Sequence, residues 1–157
     1  MTKLIKDKLM DSTNKAKDLY YSLVLLVGLP DSGKTALLNE AARELGQSII
    51  NINLELSQRL LEMTNKRRVL KVSAKFDEVL APCPEYAILD STEILFDVSL
   101  KQDPLALLKR ISRNRTIIAF WNGSIDNGKL IYSETGHPEY RTYNPTDIQV
   151  VSMDIAH

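Results

Sequence analysis

The sequence predicts an α/β fold built on a mainly parallel sheet. Three observations lead there. Short apolar runs, "SLVLLV" at 22–27, "YAILD" at 86–90 and "TIIAFW" at 116–121, alternate with segments of helical periodicity. The runs are almost continuously apolar, as strands covered on both faces are. Glycine, proline and capping residues fall between the two kinds of segment, where connections belong.

Taken in order, residues 3–20 place Leu4, Ile5, Leu9 and Met10 among polar residues. They predict an amphipathic amino-terminal helix, broken or re-capped near Asp11-Ser12-Thr13. The first strand, 22–27, leads into a loop and a helix over roughly 34–45, closed by Gly46. "SIININ", 48–53, is the second strand. "LELSQRLLEM", 54–63, is helical, followed by a charged turn at Lys66-Arg67-Arg68 and a shorter helix near 74–80 that ends at Pro82 and Pro84. After the third strand, "DPLALLKRISR" opens a helix with Asp103 at the cap and Pro104 at its first position. The fourth strand, 116–121, is followed by the turn-rich "NGSIDNGK", a short strand "LIYSE", and a last strand in "TDIQVVSMDI".

Composition narrows the function classes. The chain has 157 residues, enough for one domain over 1–157 with a real core. Lysine plus arginine equals aspartate plus glutamate at 20 each, so net charge offers no general attraction to DNA or membrane, although the run Lys66-Arg67-Arg68, with Lys71 nearby, could still touch phosphates. Cys83 is the only cysteine, which excludes an internal disulfide and a thiolate metal cluster. No apolar run approaches the roughly 18 residues that span a bilayer, and the first residues carry no secretion signal. A cytoplasmic location is expected.

"GLPDSGKT", Gly28–Thr35, fits the phosphate-loop pattern G-x-x-x-x-G-K-[ST], with a buried strand before it and a helix after it. The expected nucleotide contacts are Gly28, Pro30, Asp31, Ser32, Gly33, Lys34, Thr35 and Ala36. Backbone N–H groups point at phosphate oxygens, the positive end of the helix assists, and Lys34 reaches the β- and γ-phosphates. The Thr35 hydroxyl and Asp90, which ends a neighbouring strand, are the expected Mg²⁺ ligands. Asp31 brings a carboxylate to a position where glycine is common, so it points outward, pairs with a cation or weakens affinity. With this loop the fold expectation becomes a three-layer P-loop NTPase domain, its mainly parallel five-stranded sheet ordered 5-1-4-3-2.

Hydrolysis needs a group that activates water. Many ATPases place a glutamate directly after the metal aspartate; here Ser91 follows, and the next carboxylate is Glu93. Glu93 either turns back toward the γ-phosphate or caps the next segment. Asn122, after the fourth strand, either contacts the γ-phosphate or attacking water or forms a turn in "WNGS". In "SRNR", Arg113 and Arg115 are candidates for an arginine finger acting on an adjacent subunit, with a surface salt bridge as the plainer role. Lys34, Glu93, Asn122, Arg113 and Arg115 thus form the candidate catalytic set. Tyr132, Tyr140 and Tyr143 could stack on a base, though packing at a sheet edge is the commoner use. His137 and His157 have no metal-ligand spacing.

The nucleotide is read as ATP because a GTPase's Asp-x-x-Gly and base-reading Asn/Thr-Lys-x-Asp are both absent. A small nucleotide or metabolite kinase is the alternative enzyme, with 54–80 as its arginine-bearing lid. A non-hydrolysing, nucleotide-sensing adaptor is the third class, favoured by Ser91 and Asp31.

"LLVGLPDSGKTALL", "INLELSQRLLEM", "ILDSTEILFD", "DPLALLKRISRNRT" and "GHPEYRTY", in that order over about 20–145, resemble the BrxF family. These are small P-loop proteins of the bacteriophage-exclusion (BREX) defence systems of bacteria. The resemblance implies an AAA-type ATP-binding protein acting beside other phage-defence components, among them a DNA methyltransferase. It carries Gly28, Gly33, Lys34, Thr35, Asp90 and Glu93 over as nucleotide-site positions, and Arg113 and Arg115 as finger candidates. Two departures from the wider AAA class are the missing acidic neighbour of Asp90 and the missing carboxy-terminal helical lid domain. The resulting expectation is an ATP·Mg²⁺-binding protein with weak ATPase activity, stimulated by nucleotide-dependent homo-oligomerisation or by a partner, working as an assembly switch or motor component.

Overall fold

Successive residues of the central strands face two different cores, and that alternation organises the chain. The computed structural model describes residues 2–29, 32–132 and 141–153. Its elements are α1 (Thr2–Ala16), β1 (Leu23–Gly28), α2 (Lys34–Leu45), β2 (Ile49–Asn51), α3 (Ile52–Leu60), α4 (Asn65–Leu80), β3 (Tyr86–Asp90), α5 (Pro104–Ile111), β4 (Thr116–Asp126), β5 (Lys129–Tyr132), β6 (Arg141–Tyr143) and β7 (Gln149–Ser152). Two 3-10 turns, Glu93–Phe96 and Val98–Leu100, lie between β3 and α5.

Leu23, Leu25 and Val27 of β1, Ala87 and Leu89 of β3, and Ile117, Ala119 and Trp121 of β4 pack with Leu56, Leu60, Val72, Phe76, Leu105 and Leu108 from α3, α4 and α5. Val24, Leu26, Ile88, Ile118 and Phe120 point the other way, onto Ile5 and Leu9 of α1 and Leu37, Leu38 and Ala41 of α2. The period-two side-chain geometry of a strand thereby makes three layers, helix on sheet on helix. Burying apolar side chains on both faces is worth roughly 1.5–3 kcal/mol for each large residue, which is why these runs lack polar positions.

Five strands run parallel in the order β2-β3-β4-β1-β7. The sheet has seven strands rather than the expected five, because β5 and β6 add to β4 in antiparallel fashion. The segment "NGSIDNGK" is correspondingly not a loop: β4 continues to Asp126, and only Asn127 and Gly128 turn, at φ 51 and 75. Positive φ at both central positions fits a tight hairpin. Trp121 sits under this extension and donates its indole N–H to the Ile131 carbonyl at 3.1 Å.

Other boundaries also move. α1 runs without a break through Asp11-Ser12-Thr13, where the Thr13 hydroxyl donates to the Leu9 carbonyl at 2.7 Å instead of capping a new helix. The second strand stops at Asn51, whose side chain accepts from the Leu54 N–H and starts α3 at Ile52. The charged run Lys66-Arg67-Arg68 is the first turn of a 16-residue helix, not a connecting turn, because Thr64 caps it by accepting from Arg67 N–H. Asp103 caps α5 in the same way, accepting from Ala106 N–H. Among the described residues no helix is long and apolar enough to cross a membrane.

Candidate functional site

In a parallel sheet every strand ends at the same edge, so strand register decides which side chains meet there. Gly28 pairs with Asn122, and Asn51 pairs with Asp90. The last residues of β1, β2 and β3, together with Asn122 of β4, therefore share one edge with the loop that enters α2.

Gly33 stands at the N-cap of α2 with φ 92, a left-handed conformation that favours glycine, and no side chain caps the helix. The first-turn amides of Lys34, Thr35 and Ala36 belong to the group of helix donors that have no intrahelical acceptor. Thr35 and Ala36 are exposed. Before Gly33, Ser32 turns back on Leu29, its N–H donating to the Leu29 carbonyl at 3.1 Å and its hydroxyl to the same oxygen at 2.5 Å. Gly28 is needed for space: a Cβ there would lie 2.7 Å from Met153 Cγ and 2.8 Å from its Cβ. Pro30 and Asp31 lie outside the described residues.

Lys34 brings the loop and the third strand together. Its Nζ donates to Asp90 Oδ1 at 2.8 Å, and both side chains are largely buried, 17% and 22% exposed. The same oxygen accepts the Ser91 N–H at 2.8 Å, and the ammonium lies 4.5 Å from the centre of the Phe120 ring. An amine and a carboxylate in this shielded position are held ready for groups of opposite charge, phosphate for one and a cation for the other. Asn122 is within the strand rather than in a loop after it, and its Oδ1 is buried without a hydrogen-bond partner among the described residues. A buried acceptor of this kind at a site edge is an unmet demand for a donor.

Glu93 opens the first 3-10 turn, and its Oε1 accepts from Asn53 Nδ2 at 3.1 Å. Asn53 also donates its N–H to the Ser91 carbonyl at 2.7 Å and accepts from Ile94 N–H at 2.7 Å. Three bonds from one residue thus fix the turn in which Ser91 takes φ 53. Thr92, buried, donates its hydroxyl to the Phe120 carbonyl at 3.2 Å. The sequence reading did not single out Asn53; its only signal was a polar pair, Asn51 and Asn53, closing an apolar strand.

The arginines are not brought to this edge. Arg113 and Arg115 precede Thr116, which pairs with Tyr86 at the opposite end of the sheet. Six residue steps along β4 separate Thr116 from Asn122, roughly 20 Å. Arg113 stacks on the Tyr20 ring at 3.6 Å and donates to its hydroxyl, while Arg115 donates to the Leu80 carbonyl at 2.8 Å. At that same end Lys17 is held above the ordinary lysine pKa, first by the Tyr86 hydroxyl and then by Glu85 and Asp18. Tyr132 stacks on Phe96 at 3.6 Å and Tyr143 meets Trp121 edge-on at 5.1 Å, so both pack in the core over β4 and β5. Tyr140, His137 and His157 lie outside the described residues. The segment 54–80, considered as a kinase lid, is two helices packed into the larger core.

No protein-family model matches the chain, and no curated protein does. Among solved structures 14 chains match. One of them, described as the structure of C. elegans PCH-2, shares 22% identity over 80% of this chain, with a TM-score of 0.41. This chain spans 37% of that one.

Proposed function

We propose that the edge formed by Gly28–Thr35 and Asp90 binds ATP·Mg²⁺ and that the protein is a weak ATPase whose nucleotide state controls assembly. The observation that carries this is the 2.8 Å Lys34–Asp90 pair beside the uncapped first turn of α2. The residues present fit the ligand. The amides of α2 and Lys34 suit a polyphosphate, and Gly33 lets the backbone approach it. The Thr35 hydroxyl and Asp90 suit Mg²⁺, whose remaining ligands would be water and phosphate oxygens. Among the described residues no cluster of three or more His, Cys, Asp or Glu forms a closed metal cage, and a P-loop cation needs none. Bound nucleotide supplies the γ-phosphoryl bond that water can cleave.

On this reading Lys34 exchanges Asp90 for phosphate, which frees the carboxylate for the cation. Asn122 offers its amide to the same edge. Glu93 is the carboxylate available to orient water, and Asn53 fixes its position. Ser91, directly after Asp90, is no base at neutral pH, so turnover by the chain alone is slow. The Glu93–Asn53 bond also supports a second reading, in which nucleotide binds without appreciable hydrolysis and acts as a conformational signal. Arg113 and Arg115 reach a nucleotide only from another subunit. A place in a bacteriophage-exclusion system rests on the BrxF resemblance.

Replacing Lys34 by Ala removes a charged phosphate contact worth about 1.5–3 kcal/mol, a loss of roughly ten- to a hundredfold in ATP affinity. Isothermal titration with ATP·Mg²⁺ measures it directly, and equal affinity in the two proteins would remove Lys34 from the site. In cells carrying the complete defence cluster, the same variant should abolish protection in a phage plating assay; full protection would contradict a nucleotide-dependent role there.

A further inference from the structure

The outer side of α4 carries charge that the fold leaves unanswered. Lys66, Arg67, Arg68 and Lys71 fall in its first two turns, and its first turn holds no acidic residue. Cations beside the positive end of a helix destabilise it. Arg68 is engaged with main-chain carbonyls, Met63 at 3.1 Å and Leu61 at 3.2 Å. Lys66, Arg67 and Lys71, with Lys101 across from them, form no ion pair among the described residues.

Two of these cations, Lys66 and Lys101, line an apolar groove between α4 and the second 3-10 turn. Val69 and Leu70 lie along it, with Lys66 and Asn65 on one wall and Ser99 and Lys101 on the other. Leu70 is 71% exposed, and Val98 beside the groove is 44% exposed. The walls are tied to each other: the Gln102 amide donates to the Val69 carbonyl at 3.4 Å and to the Leu100 carbonyl at 3.0 Å. The groove is therefore formed in advance of any ligand.

We propose that this groove docks an acidic, leucine-bearing amphipathic helix of a partner protein. Apolar side chains of the partner would cover Leu70 and Val69, and its carboxylates would pair with Lys66 and Lys101 on the two walls. Lys66, near the helix start, then gains the counter-charge that the fold does not provide. Nucleic acid fits less well, because among the described residues no aromatic side chain lines the groove to stack on a base. The opposite side of α4, with Val72, Phe76, Val79 and Leu80, is committed to the core.

The surface shares no residue with the proposed nucleotide site, so the two readings fail separately. The test is fluorescence anisotropy with a labelled synthetic helix of about eighteen residues, leucines on one face and glutamates flanking them. A peptide with the same leucines and lysines in place of the glutamates is the control. The full chain should bind the acidic peptide and not the basic one, and more weakly as salt rises from about 50 to about 200 mM. Leu70→Asp should weaken binding roughly tenfold or more, and Lys66→Glu with Lys101→Glu should transfer preference to the basic peptide. Lys34→Ala should bind the acidic peptide as the parent does. No binding of the acidic peptide, or undiminished binding by Leu70→Asp, overturns the proposal. So does finding that these substitutions instead abolish binding of an oligonucleotide or of anionic vesicles, or self-association in light scattering.

Discussion

Asn53 shows how much of the site depends on single side chains. Its three bonds reach the Ser91 carbonyl, the Ile94 N–H and Glu93 Oε1. Replacement by Ala leaves the Ile94 amide and the Ser91–Glu93 turn without these partners. We expect a stability loss of about 1–3 kcal/mol, read from denaturant unfolding, together with reduced phosphate release; unchanged values for both would remove Asn53 from the site. Glu93→Gln is the complementary change. The amide oxygen of Gln can still accept from Asn53, so stability and ATP affinity should hold while turnover falls, and equal turnover would exclude Glu93 from catalysis. The meeting of Lys34 with Asp90 was legible because the one follows a fixed spacing and the other ends a strand of recognisable type. Asn53 was not, because its partners lie about forty positions on and meet it only through the pairing of β2 with β3.

At the scale of elements, local chemistry set most boundaries, and the errors have identifiable causes. Lys66-Arg67-Arg68 looked like a solvated turn because like charges cluster there; Thr64 nevertheless starts the helix, and Arg68 satisfies the carbonyls left by α3. Thr64→Ala should therefore cost about 1 kcal/mol of stability, and a thermal melt indistinguishable from the parent would show that tertiary packing alone holds this end. The hairpin of β4 and β5 was hidden by glycine and asparagine, which mark loops but also occur in strands under close contacts. Gly123 is such a case: a Cβ there would lie 1.8 Å from the Ile131 carbonyl oxygen. Gly123→Ala should force β5 away from β4 and destabilise the fold by more than about 3 kcal/mol. Circular dichroism showing an undisturbed melting transition would contradict the pairing described here.

Among the described residues the fold is one mainly parallel sheet between two helical layers, with the charged, partly buried edge at the strand ends. That architecture was readable from the alternation of apolar runs and helical periodicity, since both faces of each central strand had to be covered. The two added antiparallel strands were not, because the hairpin extending β4 reads locally as a turn. Ligand binding to the folded state alone should stabilise the protein by about 2.7 kcal/mol at a nucleotide concentration one hundred times Kd. If assembly follows nucleotide, light scattering should report larger particles with ATP·Mg²⁺ than without, and Arg113→Ala or Arg115→Ala should lower turnover only where subunits associate. A concentration-independent defect would argue against action across subunits. The most direct measurement is a crystal structure grown in excess ATP and Mg²⁺. It should show the 2.8 Å Lys34–Asp90 contact opened, with the ammonium on phosphate and the carboxylate on the cation or its water. Nucleotide bound elsewhere, or an intact Lys34–Asp90 pair with no ligand in the loop, would contradict the account.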